Sequence, residues 1–132
     1  MREIKAARLI EHGKPVEIQQ LELPEPSDGE VLVDLRYAGV NPVDRYGVEG
    51  KVAADVPLPR TIGQEATGYL DGTPVLIVGG GLGSTRDGVF ASAAVVPRDT
   101  VFELPSGVPL DQASALGIVG LTAWRVVELA EI

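Results

Sequence analysis

The chain has 132 residues, 45% of them hydrophobic and 5% aromatic, with a formal net charge of −8 and no cysteine. That length supports a single core and one domain, residues 1–132. The acidic balance excludes nucleic acid and anionic membrane surfaces as general partners, and the lack of thiols excludes disulfides, thiolate zinc sites and a cysteine nucleophile.

Sixteen glycines and ten prolines point to short strands joined by tight turns, a mainly β domain with short helices. The opening MREIKAARLIEHGK lacks the apolar core of a signal peptide, and no run approaches ~18 apolar residues, so a cytoplasmic location is expected. Residues 2–10 and 15–22 read as a hairpin turning at 11–14, with alternation at Val16, Ile18 and Leu21. His12, the only histidine, falls in that turn and is expected to be solvated; one imidazole cannot build a metal site.

LPEPSDGE (23–30) is turn chemistry, and EVLVDLRYAGV (30–40) is the strongest strand, expected near the centre. Asn41-Pro42 then starts a short helix, because Asn can accept from first-turn amides while Pro presets the helical φ. Beyond the loop at 56–60, strands are expected over 63–72, 73–79 and 88–97, the last stopped by Pro97, and one more within 99–105. From Pro109 helix formers dominate, giving two helices broken near Gly117 or Gly120 and running to Ile132. In the second, Arg125, Glu128 and Glu131 share one narrow face while apolar residues cover the rest, so partners are expected on more than one side.

The run VLIVGGGLGS (75–84) resembles a strand entering a phosphate-binding turn. A dinucleotide fingerprint, however, needs a third glycine or alanine and a following helix whose free amides meet the pyrophosphate. Here the third position is Ser84 and the continuation STRDGVFASAAVVP is β-like. The run is therefore read as a flexible loop between strands.

Taken in order, AGVNPVDRYGVEG, PLPRTIGQEATG, DGVFASAAVVP and ELPSGVPLDQASALGIVGLTAWRVV resemble the N-terminal catalytic part of the medium-chain dehydrogenases/reductases. The likeness is nearest to the zinc-independent quinone oxidoreductase, zeta-crystallin-like branch. It implies a GroES-like fold, a partly open β-barrel with C-terminal helices that would lead into a Rossmann domain absent from this chain. Where the zinc-dependent members place Cys, His and Cys, this sequence holds Asn41, Gln64 and Ile118. Two amides and an alkyl chain are poor zinc ligands, so the resemblance implies metal-free chemistry.

The resemblance further implies hydride transfer from NADPH, held mainly by the absent domain, to a quinone or to the β-carbon of an enone. Tyr46 would polarise or protonate the substrate oxygen, since a phenol of pKa ~10 can donate to an oxyanion. Asn41 would act beside it or on the nicotinamide ribose, Gln64 would hold a substrate carbonyl, and Thr122 would touch the nicotinamide. Arg86 could receive an anionic substrate group. Each has a plainer reading: Asn41 as a helix cap, Tyr46 as a barrel-edge residue, Gln64 as a filler of the former metal pocket, Arg86 as a surface arginine. Glu65 and Asp44 read as partners of backbone amides or cations.

GGGLGSTRDG also resembles the glycine-rich segment of the acrylyl-CoA reductase-like branch, which would make the substrate a small acrylate derivative. The chain stops where the family would enter its Rossmann strand, so an excised or truncated catalytic domain, completed by a Rossmann segment or a second chain, is one expectation. A non-catalytic GroES-like binding or assembly module, able to form a homo-oligomer through its apolar helix, is the other.

Overall fold

Alternation builds the first sheet. In β1 (Arg2–Leu9) Ile4, Ala6 and Arg8 point inward while Glu3 and Lys5 face solvent. β1 pairs antiparallel with β2 (Glu17–Leu23), from Arg2 opposite Leu23 to Arg8 opposite Glu17, and on its other side with the two-residue β4 (Arg60–Thr61). These findings come from a computed structural model, which describes residues 1–52 and 54–131. The hairpin forms, but its loop spans 10–16 and is longer than the expected turn at 11–14.

His12 is only partly exposed in that loop: its ring nitrogens lie 3.2 Å from the carbonyl oxygens of Gly47 and Ala54. The expectation of a solvated side chain is corrected, because the loop folds back over the end of the short helix Pro42–Val48.

The second sheet has five antiparallel strands. β3 (Glu30–Gly39) lies between β5 (Glu65–Leu70) and β7 (Ala93–Pro97), and β6 (Thr73–Val78) joins β5 to β8 (Val101–Glu103). β3 is thus second in the sheet, interior but not at its middle. β5 and β6 meet through Asp71-Gly72, whose φ values of 48° and 82° are those of a two-residue hairpin turn. An Asp-Gly pair supplies that positive φ at both positions.

The strand expected over 88–97 is shorter, because only 93–97 pairs with β3. Residues 88–92 instead cross from one sheet to the other. Gly88 N–H donates to Thr61 O at 2.8 Å, Phe90 N–H to Ile62 O at 2.9 Å, and Ala7 N–H to Phe90 O at 2.8 Å. An isolated bridge between Ala6 and Ala91 continues the seam. The segment expected at 99–105 is likewise divided into a 3-10 turn, Arg98–Thr100, and β8.

Val33, Leu35, Val75, Ile77, Val89 and Val96 fill the core of the five-stranded sheet, and Ile4, Ala6 and Ala93 form a smaller cluster under the first. The architecture is mainly β with short helices, as expected. α1 (Pro42–Val48) caps one end; α2 (Leu110–Ser114) and α3 (Gly117–Leu129) close the chain. The helix break falls just before Gly117, while Gly120 lies inside α3; Ile132 lies outside the described residues. From Leu121 to Glu131 every residue of this last segment is exposed. Among the described residues no helix is long and apolar enough to cross a membrane.

Candidate functional site

The end of β3, the start of α1, the start of β5 and the start of α3 meet at one carboxylate. Glu65 is 1% exposed; its Oε1 accepts from Asn41 Nδ2 at 2.9 Å and its Oε2 from the Ile118 backbone N–H at 2.6 Å. Ile118 lies at the second position of α3, where a helix has no internal acceptor to offer its N–H. The positive end of the helix also favours a negative group there. Space for the carboxylate is left by two glycines: a Cβ at Gly39 would stand 2.2 Å from Oε1, and one at Gly117 2.4 Å from Oε2.

Asn41 is the N-cap of α1 and forms a capping box with Asp44, whose carboxylate accepts from the Asn41 backbone N–H at 2.7 Å. Asn41 is buried, 7% exposed, and its amide is engaged inside the fold. Burial pushes the Asp44 carboxyl above its ordinary value of 3.8; the Asn41 N–H lowers it in part, and the negative Glu65 raises it again. Because the folded-state value is the higher one, the native protein binds more protons between the two, and stability falls as pH rises through that window. Asp44→Asn keeps an oxygen for the Asn41 N–H and removes this dependence. Urea unfolding from about pH 4 to about pH 7 should show the variant gaining on the parent as pH rises; a constant gap would refute the assignment.

Gln64, next to Glu65, lines a cavity of about 160 Å³ together with Ile118, Val78, Gly79, Gly81, Leu82 and Ser84. It also borders a narrow recess with Val43, Asp44, Gly47 and Ser84. Its amide has no hydrogen-bond partner among the described residues. The glycine run therefore forms a wall of this cavity and is closed on itself: Leu82 N–H donates to Gly79 O, and the amides of Ser84, Thr85 and Arg86 all reach Gly81 O. No helix follows it to present amides to a phosphate.

The remaining expected residues are dispersed. Thr122 lies one turn along α3 from Ile118, with its hydroxyl donating to Ile118 O at 2.8 Å. Tyr46 is 45% exposed and lines neither cavity; its ring lies 5.9 Å from the Lys51 ammonium. Arg86 donates to Glu30 at 2.7 Å, and the Ser27 hydroxyl together with this guanidinium holds the Glu30 carboxyl below its ordinary range. An ion-paired Arg86 is poorly placed as an anion receptor.

A larger apolar groove of about 360 Å³ runs between the β6–β8 edge and α3, lined by Leu76, Val78, Phe102, Leu104, Leu116 and Leu121 among others. Sequence reasoning missed it, although the apolar flank of α3 signalled one side. The expectation that Glu65 partners a backbone amide is met at Ile118, but 53 residues of separation left no local signal for which amide it would be.

No protein-family model matches the sequence. The chain is 30% identical over 140 residues to a zinc-type alcohol dehydrogenase-like protein of Schizosaccharomyces pombe, covering 97% of this chain and 43% of that protein. It is 30% identical to the quinone oxidoreductase of Homo sapiens, covering 92% of this chain and 40% of that enzyme. Its fold superposes on the quinone oxidoreductase of Thermus thermophilus, studied alone and in complex with NADPH, with a TM-score of 0.83 and 27% identity over 96% of this chain and 40% of that one. The chain thus spans about two fifths of the length of the relatives it matches.

Proposed function

The chain belongs to the medium-chain dehydrogenase/reductase superfamily, and on that premise we propose that it is the substrate-side domain of an NAD(P)H-dependent oxidoreductase. The reaction would reduce quinones or α,β-unsaturated carbonyl compounds by hydride transfer. The observation that carries this reading is the Gln64 amide, without a hydrogen-bond partner among the described residues, on the wall of a cavity lined by uncharged residues that include Ile118. Such a site steadies the oxygen that gains charge with neutral hydrogen-bond donors. The family's zinc does not suit the residues present, because Ile118 offers no donor and the Asn41 amide is engaged by Glu65. A bound NADPH would supply the hydride. Of the residues expected to touch it, Thr122 is exposed and Asn41 is buried, so the contact falls to Thr122.

Tyr46 stands as proton or hydrogen-bond donor from the open side of α1, where a cofactor domain would have to close over it. A cytoplasmic enzyme is the setting this reading favours, and a homo-oligomer is compatible with it. In a chain extended by a Rossmann segment, Gln64→Ala should lower kcat/KM for an enone by ~10-fold or more, and Tyr46→Phe should lower kcat. Parent rates in both variants would remove these residues from the chemistry. Residues 1–132 alone should bind NADPH no tighter than millimolar by calorimetry, because the glycine run at 79–83 is closed on itself and leads into no helix whose amides could meet the pyrophosphate. Micromolar binding would overturn the division of labour. A GroES-like binding module would instead leave the extended chain inactive toward every enone and quinone tested.

A further inference from the structure

We infer that Glu65 is a positioning residue that sets the distance between Gln64 and Ile118 across the cavity. The inference rests on the preceding reading only in taking that cavity as the substrate's. α3 begins without a cap of its own: its N-cap is Leu116, which makes no side-chain cap bond. The missing acceptor comes from Glu65, on the strand that carries Gln64 just ahead of it. The same carboxylate ties down Asn41 at the head of α1.

Glu65 forms no ion pair among the described residues, so these charge-assisted hydrogen bonds compensate its burial. α3 adds only Gly117 to the buried residues of the fold, and neither hydrophobic cluster contains a residue of α3. A slip of α3 would therefore leave the core intact while moving Ile118 relative to Gln64. Gly39 and Gly117 leave room for the carboxylate and for nothing on either side of it.

The chemistry of the pair supplies a test. A carboxylate can accept from two donors at once, whereas a glutamine offers one oxygen and sets an NH₂ against the second donor. In Glu65→Gln the Ile118 N–H keeps its acceptor only if the new amide nitrogen confronts Asn41 Nδ2 or the Asn41 amide turns over and gives up its side-chain bond in the capping box of α1. Combining it with Asn41→Asp restores an acceptor there, so the doubly exchanged protein has the same net charge and a matched donor for each acceptor. In the parent chain, the Ile118 amide proton should resonate downfield and exchange slowly, unlike the usual second position of a helix. Fast exchange in the parent chain would overturn the proposal without any variant.

In the Rossmann-extended chain, Glu65→Gln should lower kcat/KM toward an enone by ~10-fold. Protection of Ile118 should fall with it, and the double exchange should recover both to within ~3-fold of the parent. Parent-like kcat/KM in the single variant, or a double variant no better than the single, would refute the positioning role. If the extended parent reduces no enone or quinone, the functional reading fails alone; loss and recovery of Ile118 protection still decide the role of Glu65.

Discussion

Gly39→Ala is expected to destabilise the domain by about 3 kcal/mol. The added Cβ would stand 2.2 Å from Glu65 Oε1 and 2.3 Å from the carbonyl oxygen of Ser114. The first neighbour is a side chain that can retreat only by releasing Asn41 or Ile118. The second is backbone at the end of α2, so relief requires the β3–α2 contact to open. Gly47→Ala, in α1, provides the opposite expectation. Its Cβ would meet nothing nearer than a Val52 methyl at 4.0 Å, and alanine is favoured over glycine inside a helix by about 0.5–1 kcal/mol. Urea unfolding of the two variants should therefore move in opposite directions from the parent. A parent-like Gly39→Ala would show that the carboxylate slot is not closed as described.

Local chemistry explains which parts of this architecture can be read from the chain. Alternation in REIKAARL and in EVLVDLRYAG places the buried faces of β1 and β3 without reference to any neighbour. Asn41-Pro42 begins α1 because the capping side chains lie within three residues of one another. The segment at 88–92 was misread as strand throughout because its amides and carbonyls answer to β1 and to residues 61–63, far away in sequence. Arg86 read as a surface arginine or an anion receiver, with no sign of its ion pair, because Glu30 lies 56 residues earlier. The motif around Gln64 pointed to that residue, and the structure places it on a cavity wall. That its neighbour caps a helix 53 residues later depends on Gly39 and Gly117 converging on one point, and no window along the sequence contains both.

Trp124→Glu should separate what holds this domain together from what it presents to a partner. The indole is 73% exposed, and Leu121, Val126, Val127 and Leu129 around it are also exposed; none belongs to either hydrophobic cluster. In residues 1–132 alone the substitution removes little buried area and should change unfolding free energy by no more than about 0.5 kcal/mol. Its fluorescence in the parent domain should be that of a solvated tryptophan. If a Rossmann segment appended to the chain docks on this face, the emission should shift to shorter wavelength as the indole leaves water. There the same substitution should cost about 2–3 kcal/mol, the worth of burying a large apolar side chain. NADPH-dependent turnover should fall with it, because the cofactor's domain would no longer be held against the Gln64 cavity. Equal, small losses in both contexts would mean that α3 is not the docking element. A large loss in the isolated domain would mean that Trp124 packs within it.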